Sequence, residues 1–349
     1  MRTITLTIVG WLALYLPAAG QILEFRGVCD GSGAIVLPDG SIATVDDEKE
    51  PQLRVFNAAG GPPTAVIPIP GISDAGFEPD LEGGARVGGM SLWIGSHGRN
   101  SKGEPRPERQ VLFGIPVDAI VARSIRQSDV RSAGPLRDAL ITWGSQHGIA
   151  MARAFGPQDQ RVDSLAAERE GVNIEAVAHD PRTGQLLIGF RNPVPGGQAL
   201  IAPLRNLDAV LRGEVAEFGS PIRLDLGGGG LRDMVWSDRH GAFLLIAGPS
   251  GNDGPFTLHR WNGGALTAIP WTTPLPDGFH PETVLALPGT DNVLVLSDDG
   301  DVTASRDPAD CKRDDFDTAS QTCSCKNIRN PRAAALRAFR GLRMTVRPN

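Results

Sequence analysis

The sequence contains few of the residues from which metal and nucleophile sites are commonly built. It has 6 histidines and 4 cysteines among 349 residues, and three of the cysteines cluster near the C-terminus without a nearby histidine. A zinc site needs clustered His and Cys ligands, so zinc is not expected. The chain also lacks an excess of positive charge, with 34 Lys+Arg against 40 Asp+Glu and a net charge of -6. It therefore has no global basic field for a phosphate backbone, and nucleic acid is not expected as a partner.

Several catalytic signatures are absent as well. The glycine run LGGGGL from Leu226 contains no GxGxxG unit, so neither a nucleotide nor a flavin is expected. The segment GPSGND from Gly248 is not a Gly-x-Ser-x-Gly nucleophile elbow, and no Ser/His/Asp order or Cys/His pair indicates covalent catalysis.

Residues 1–20 have the anatomy of a secretory signal, with one arginine before an apolar stretch and small residues at its end. The apolar run from Ile4 to Ala19 is about 16 residues, shorter than the roughly 20 needed to span a bilayer. A retained anchor is the alternative. No other segment is long and apolar enough to be a membrane helix, so a secreted or periplasmic protein without a membrane span is expected.

Export would allow the cysteines to form disulfides, because an oxidising compartment preserves them. Cys29 lies near the start of the mature chain, whereas Cys311, Cys323 and Cys325 lie near its end. A bond between Cys323 and Cys325 is the least favoured, because the geometry across one intervening residue is strained. We expect Cys29 to pair with one C-terminal cysteine and Cys311 with another.

The fold is predicted from composition and from a repeated pattern. The 43 glycines and 28 prolines favour short strands joined by tight turns. Strand-turn-strand units with an acidic residue near the start recur, and such repetition indicates an all-β propeller. The copies begin at Cys29, Asp80, Asn173, Leu231 and His280.

The number of blades follows from the spacing of these copies. From Glu82 to Glu175 is 93 positions, whereas Glu175 to Asp233 is 58 and Asp233 to Glu282 is 49. The wide interval has room for a hidden unit, so six blades are predicted, with five or seven open. Residues 118–171 are predicted to be a partly helical insertion or a degenerate blade.

One propeller domain is expected over residues 21–349. Within it, residues 307–330 are predicted to form a disulfide-tied loop. Residues 342–346 are predicted to be a final strand that pairs with the N-terminal strand and closes the ring. The alternative for this arginine-rich end is a basic tail for an anionic partner.

The innermost strand of each blade lines the central channel, so the repeated acidic residues should meet there. Carboxylates that face one another repel unless a positive group intervenes. Calcium, which takes carboxylate and amide oxygens, is one candidate for this group, and the arginines of the same copies are another. A third alternative is that the acidic side chains only hydrogen-bond turn amides. The predicted metal ligands are Glu82, Glu175, Asp233 and Glu282, with Asp30 as a looser fifth.

The second strand of each unit also ends in polar residues. These residues should lie at the same face of the propeller as the starts of the first strands. Arg99 and Arg191 are predicted to grip a carboxylate or phosphate, or else to neutralise the carboxylates. His97 is the candidate for acid–base chemistry, with a surface position as the alternative. Residues predicted to bind a ligand are Asn100, Asn173, Asn192 and Arg232, and further polar strand ends lie at Asp46, Asp47, Ser250, Asn252, Asp298 and Asp299.

Three stretches, beginning at Asp80, Asn173 and Phe218, carry a resemblance to a bacterial family described only as a domain of unknown function. The resemblance covers roughly residues 28–299 and implies a propeller-like fold without an established activity. The chain is more distantly similar to the esterase-like phytase propellers, which share the acid–Gly strand start seen at Glu82-Gly83. Glu175 is instead followed by Ala176 and Asp233 by Met234, and the disulfide-tied C-terminus has no match there.

Two functions are expected from these features. The first is a secreted or periplasmic hydrolase of a small anionic ester, a phosphoester or lactone, in which an axial metal activates water. The second is a non-catalytic propeller that binds a small-molecule or surface ligand at the mouth of the channel. Propellers host both kinds of function, so the fold alone does not decide between them. A monomer is expected in either case.

Overall fold

The computed structural model describes residues 20–45, 51–72, 78–251, 254–271, 273–329 and 335–347. Residues 1–19 of the predicted signal lie outside these ranges, as do Asp46, Asp47 and Asn252. Within them, no helix has both the length and the apolarity to cross a membrane.

The chain folds into five four-stranded antiparallel sheets arranged as propeller blades. It begins with β1 (Gln21–Arg26), which belongs to the last blade. The first blade contains β2 (Gly33–Val36), β3 (Ile42–Val45), β4 (Gln52–Phe56) and β5 (Ala65–Pro68). The second contains β6 (Leu81–Val87), β7 (Met90–Gly95), β8 (Leu112–Pro116) and β9 (Arg131–Ser132), with helix α1 (Val117–Val121) between the last two.

Two helices, α2 (Arg137–Gln146) and α3 (Met151–Phe155), precede the third blade. That blade contains β10 (Asn173–Asp180), β11 (Gln185–Asn192), β12 (Ala199–Leu204) and β13 (Ile222–Leu224), with α4 (Leu207–Val210) before its last strand. The fourth contains β14 (Gly230–Ser237), β15 (Ala242–Gly248), β16 (Thr257–Trp261) and β17 (Leu266–Ile269). The fifth contains β18 (His280–Ala286), β19 (Asn292–Asp298), β22 (Ala338–Thr345) and β1, and β20 (Thr303–Ser305) with β21 (Thr322–Ser324) forms a separate small sheet.

Short 3-10 helices complete the described secondary structure; they span Pro107–Arg109, Gln127–Asp129, Asp163–Leu165, Pro195–Gly197, Pro308–Asp310, Arg313–Asp315 and Cys325–Asn327.

The predicted number of six blades is wrong, because the described residues form five. The interval between Glu82 and Glu175 contains β8 and β9 of the second blade, followed by α2 and α3. Trp143 of α2 and Met151 of α3 are buried in one apolar cluster with strands of the second and third blades. The extra length therefore fills the space beside two blades and builds no further sheet.

The ring of blades is closed by the two ends of the chain. Strand β22 pairs with β1 from Gln21↔Arg343 to Arg26↔Ala338 and, on its other side, with β19. It lies earlier and is longer than the predicted segment 342–346. Three phenylalanines, Phe25, Phe56 and Phe339, pack at this seam with ring centroids 5.0 to 5.8 Å apart. Because β1 comes from the N-terminus, closure joins the first and last parts of the sequence.

Disulfides tie the C-terminal segment to the propeller. Cys29 is bonded to Cys325, and Cys311 is bonded to Cys323. This confirms the prediction that Cys29 and Cys311 each pair with a different C-terminal cysteine. Cys29 lies just before β2, so its bond holds the region of Cys325 against the first blade.

The inner strands β2, β6, β10, β14 and β18 contact one another in a closed series around the channel. Each is joined to its second strand by a tight hairpin. Gly40 and Gly184 occupy two of these turns with φ of 82° and 72°, values that residues with a Cβ seldom adopt. All five inner strands therefore start at the same mouth of the channel, and residues at equivalent positions share one level.

Candidate functional site

Four inner strands carry a β-bulge near their start, and the bulged residue points toward the axis. The pairing with the second strand shifts between Leu81/Gly83, Ile174/Ala176, Leu231/Asp233 and Pro281/Thr283. A bulge leaves one residue unpaired and re-aims its side chain. The unpaired residues are Glu82, Glu175, Arg232 and Glu282, which we call the axial ring.

Arg232 connects three blades within the axial ring. Its Nη1 lies 3.2 Å from Glu175 Oε2 and 3.0 Å from Glu282 Oε1. Its guanidinium also lies 5.4 Å from the centre of the Phe256 ring. All three charged residues of this group are buried. A cation of the chain itself therefore stands between two of the predicted metal ligands.

Arg191, at the end of β11, contacts the same carboxylate from the other side. Its Nη1 donates to Glu175 Oε1 at 2.9 Å, while Nε and Nη2 donate to the carbonyls of Ser250 and Gly251. Burial alone would lower the pKa of Arg191, but Glu175 outweighs it and raises that pKa above its usual value. Arg191 was predicted either to grip an anion or to neutralise the carboxylates, and its contact with Glu175 corresponds to the second alternative.

Glu282 has a strongly perturbed pKa. Burial is the largest cause, and the neighbouring Asp298 carboxylate adds to it, so the pKa of Glu282 lies well above its usual range despite the opposing charge of Arg232. Burial also raises the pKa of Asp298, whose Oδ1 accepts a hydrogen bond from Gly300 N at 2.7 Å. Two neighbouring carboxyl groups of the fifth blade, Glu282 in β18 and Asp298 at the end of β19, therefore both have a raised pKa.

Asp233 follows Arg232 in the sequence and is not part of the axial ring, which corrects the prediction that it is equivalent to Glu82 and Glu175. Its Oδ2 accepts a hydrogen bond from Val284 N at 2.8 Å, linking β14 to β18. Burial raises the pKa of Asp233 well above its usual value. Because successive strand side chains alternate in direction, an error of one residue assigns the wrong side chain to the channel.

His97 and Arg99 follow β7, but their side chains contact backbone groups beside the channel. His97 is buried, its Nδ1 lies 2.9 Å from Gly95 O, and burial lowers its pKa to about 4. It is therefore neutral at neutral pH and is not on the surface. Arg99 donates to the carbonyls of Phe155, Gly103, Gln160 and Pro157. These contacts hold the long loop after β7 against the segment after α3.

Of the asparagines predicted to bind a ligand, Asn100 and Asn192 hydrogen-bond to loops, whereas Asn173 contacts the axial ring. Asn100 donates to Glu104 Oε2 at 2.6 Å, and its Oδ1 accepts from two backbone amides of the same loop. Asn192 donates to Ala167 O and Ser250 O. Asn173 donates from Nδ2 to Glu175 Oε1 at 2.8 Å, while its Oδ1 is buried without a hydrogen-bond partner. Asp30 is buried and accepts from Ser32 Oγ at 3.0 Å.

An open cavity of about 680 Å³ lies at the mouth where the inner strands start, and we call it the polar mouth. It brings together five of the predicted residues with others. It is lined by Glu78, Asp80, Glu82, Arg99, Asn100, Ser101, Arg106, Glu108, Arg109, Ala167, Glu168, Asn173, Arg191 and Lys326. All but one of these side chains are polar or charged, so the cavity suits a polar ligand.

The sequence predictions missed three cations of the polar mouth, Arg106, Arg109 and Lys326. Arg109 lies 2.7 Å from Asp80 Oδ2 and 2.8 Å from Glu78 Oε1. Lys326 forms an ion pair with Asp301 and is brought here by the neighbouring Cys325 disulfide. A signal for Arg109 existed in the long polar loop after β7, whereas nothing local in the sequence places Lys326.

Across the described ranges, no cluster of three or more His, Cys, Asp or Glu side chains is arranged to hold a metal ion. Glu175 instead contacts Asn173, Arg191 and Arg232. The calcium ion predicted from the sequence stays a prediction.

At the opposite end of the channel lies a second cavity, of about 480 Å³, which we call the far mouth. It is formed by the later parts of all five inner strands and their turns. Its lining includes residues 34–36, 84–86, 177–179, 234–239 and 285–289.

Comparisons with known proteins give a family and remote structural similarity. No curated protein matches the chain. A glutaminyl cyclase from Myxococcus xanthus aligns with 8% identity and a TM-score of 0.41, covering 79% of this chain and 89% of that one. A PQQ-bound aldose sugar dehydrogenase from Streptomyces coelicolor aligns with 12% identity and a TM-score of 0.42, covering 81% and 94%.

A sequence match identifies the family. Residues 99–292 match the family described as "Protein of unknown function (DUF3616)". This segment runs from the loop after β7 to the start of β19 and includes three members of the axial ring, Glu175, Arg232 and Glu282. The predicted relationship to a domain-of-unknown-function family is thereby confirmed, and the chain belongs to the DUF3616 family.

Proposed function

We propose that this chain is a ligand-binding β-propeller that takes a small polar molecule at the polar mouth. The observation that carries the proposal is the cavity of about 680 Å³ at whose inner side Asn173 and Arg191 contact the buried Glu175. Buried ion pairs add little net stability compared with apolar residues of the same size. Departures of this kind from a simple apolar interior are typical of functional sites.

The cellular compartment forms part of the proposal. The two disulfides are typical of proteins from an oxidising compartment. We therefore propose a secreted or periplasmic location, with residues 1–20 as the export signal. Expression with and without residues 1–20 in a bacterial host, followed by fractionation, tests this. Export that does not depend on the segment would contradict it.

Thermal melts of the disulfide-bonded protein with sugars, sugar phosphates, amino acids and amines test ligand binding. A bound ligand raises the melting temperature, because it stabilises the folded state alone. We expect the shift to disappear in Glu82→Gln, at the polar mouth, and to persist in Glu24→Gln, on the exposed outer strand β1. A shift that survives Glu82→Gln and Asn173→Ala would place the ligand elsewhere.

Hydrolysis is the second candidate, and the perturbed pKa of Glu282 favours it. That pKa is raised by burial and by Asp298, so Glu282 retains a proton to higher pH than an ordinary glutamate. Arg232 joins it to the Glu175 carboxylate. A carboxyl group with a raised pKa is suited to act as the general acid. Glu282 would protonate the leaving oxygen while Glu175 accepts a proton from water.

Hydrolysis of p-nitrophenyl acetate and p-nitrophenyl phosphate tests this second function. We expect turnover to fall as pH rises through the pKa of Glu282, and to fall at least 100-fold in Glu282→Gln, since acid–base catalysis contributes about 10²–10⁴-fold. Turnover that is unchanged in Glu282→Gln would contradict it. The phosphate ester also tests the anionic substrate expected from the sequence.

An axial calcium ion remains part of the hydrolase proposal. Glu82, Glu175 and Glu282 would supply oxygen ligands, which calcium prefers. Calorimetric titration of calcium into chelator-treated protein is the test. Heat that is lost in Glu82→Gln supports an ion at the ring, whereas no heat would leave Arg191 and Arg232 as the counter-charges of Glu175.

A further inference from the structure

Asn173, which lines the polar mouth, has a buried acceptor that makes no hydrogen bond. Its Nδ2 donates to Glu175 Oε1 at 2.8 Å, which fixes Oδ1 as the atom that remains. Asn173 is 4% exposed and lines the cavity, yet its Oδ1 has no hydrogen-bond partner. A buried acceptor left without a partner destabilises the folded state, so a donor is expected to occupy the site.

A second acceptor lies two residues further along β10. Glu175 Oε2 accepts no hydrogen bond, although it lies 3.2 Å from Arg232 Nη1. The charge of Glu175 Oε2 is thus opposed by Arg232, and Glu175 does not line the cavity, whereas Asn173 lines it. Asn173 Oδ1 is therefore the acceptor that calls for a group that donates hydrogen bonds.

The cations of the polar mouth are already engaged with acceptors. Arg109 contacts Glu78 and Asp80, and Arg106 contacts Glu104 at 3.1 Å and Glu108 at 4.0 Å.

The remaining three are held in the same way. Arg191 donates to Glu175 and to two carbonyls, Lys326 pairs with Asp301, and Arg99 donates to four carbonyls. An incoming anion would have to compete with these acceptors. An anion is therefore disfavoured at this mouth.

The acidic side chains of the cavity favour a cation. The five carboxylates that line it equal its five cations in number; they are Glu78, Asp80, Glu82, Glu108 and Glu168. Three of the lining cations are held in part by further carboxylates, Glu104, Glu175 and Asp301, which add negative charge close by.

We propose that the ligand of the polar mouth is a small organic amine whose ammonium group donates to Asn173 Oδ1 and faces the mouth carboxylates. This inference rests on the proposed function, because it names the class of ligand for the same cavity. An ammonium has three donors and no acceptor, which matches a site with unused oxygens. Binding would satisfy the acceptor of Asn173 without displacing the existing ion pairs.

Calorimetry on the disulfide-bonded protein with two matched probe sets tests the proposal. The first set is glucosamine, glucose and glucose 6-phosphate, and the second is putrescine, butanol and succinate. We expect at least one amine to bind ten times more tightly than its neutral and anionic counterparts. The proposal is overturned if no amine binds or if a counterpart binds equally well.

Variants then locate the site. Asn173→Ala should weaken amine binding about tenfold or more, since hydrogen bonds to charged groups are among the stronger ones. Asn262→Ala is the matched control, because Asn262 is an exposed asparagine in the turn after β16, on the far side of the propeller. If Asn173→Ala does not fold, amine binding is measured in Glu82→Gln, which removes one negative charge from the cavity lining. Amine binding that is unchanged in both variants would contradict the proposal.

The outcomes separate this inference from the proposed function. If glucose or an anionic probe binds and the Glu82→Gln variant abolishes that binding, the polar mouth is a ligand site but not an amine site. If no probe binds, both the inference and the ligand-binding function fail.

Discussion

The two mouths of the channel are built by the same five strands but differ in chemistry. At the polar mouth, polar and charged side chains make up almost all of the lining. At the far mouth, the same strands contribute mainly aliphatic residues, among them Ile35, Val177, Met234 and Leu285. Four of the five inner strands carry a charged residue near their start and are mainly apolar beyond it. Because all five strands start at one end, the order of residues along a strand becomes a difference between two faces of the molecule.

The far mouth is stabilised mainly by apolar packing, whereas the polar mouth is stabilised by hydrogen bonds and ion pairs. Val177, at the far mouth, belongs to an apolar cluster that extends into α2 and α3. Glu175, two residues earlier on the same strand, is held by Asn173, Arg191 and Arg232. We therefore expect the polar mouth to be more sensitive to the loss of single partners and to pH. The following changes test that difference.

Removal of the Cys29–Cys325 disulfide should have the largest effect. The bond closes a loop across a separation of 296 residues, and the entropy of so long a loop corresponds to about 5 kcal/mol. The Cys311–Cys323 bond spans 12 residues, which corresponds to about 3 kcal/mol. Urea unfolding of the two double-serine variants measures both losses. An equal loss in the two variants would show that strain or residual structure, not loop length, sets these stabilities.

Glu175→Ala should destabilise the protein by about 3–5 kcal/mol, because Arg191 and Arg232 would remain buried near an empty site. Val177→Ala, at the far mouth, should cost about 2 kcal/mol, the value for two buried carbon atoms. Urea unfolding at neutral pH compares the two variants. If Val177→Ala cost as much as Glu175→Ala, the contrast between the mouths would be wrong.

Acidification should destabilise the protein through His97. The pKa of His97 is lowered from 6.5 to about 4 by burial, so between these values the unfolded chain binds a proton that the folded chain does not. The free energy of unfolding contributed by this group therefore falls as pH falls from 6.5 to 4, by about 3 kcal/mol in total. Urea unfolding of wild type and His97→Asn at pH 4.5 and 7 isolates this change.

His179, at the far mouth, is the control for this measurement. Its pKa is also lowered by burial, but its side chain is only partly enclosed. His179→Asn should therefore alter the pH dependence less than His97→Asn. The raised pKa values of Asp233 and Glu282 act in the opposite direction in every variant, since their protonated forms are favoured in the folded state. An equal pH dependence in wild type and His97→Asn would contradict the prediction.

Arg239→Ala should have the smallest effect. Arg239 lies at the far mouth and pairs with Asp291, but its side chain is largely exposed. Exposed pairs are screened by water and salt. We expect no measurable change in the urea midpoint, at low or high salt. A change that disappears with added salt would show that this mouth also depends on charge.

The sequence predicted much of the fold because the repeat is local. Alternating and apolar runs around turn residues defined the hairpins that start at Leu81, Asn173, Gly230 and His280. Local sequence patterns did not determine the number of blades. The 93 positions between Glu82 and Glu175 fit either a further sheet or a helical insertion, and only the packing of Trp143 and Met151 against existing blades distinguishes them.

The candidate site was likewise predicted only in part from the sequence. Glu82, Glu175 and Glu282 were placed on the channel by their position in the repeat, and the structure has them in the axial ring. Asp233 was placed there as well, but the bulge brings Arg232 to the axis. Whether a bulge falls before or after a given residue depends on the partner strand, so a single strand does not reveal it.

By itself, the sequence determined the strands, the repetition and the order of polar and apolar residues along the inner strands. These depend on the properties of neighbouring residues and on chain geometry. The tertiary structure alone decided that there are five blades, that Arg191 and Arg232 meet Glu175, and that Lys326 reaches the polar mouth. Those features depend on contacts between residues far apart in the chain, which form only when the blades close around the axis.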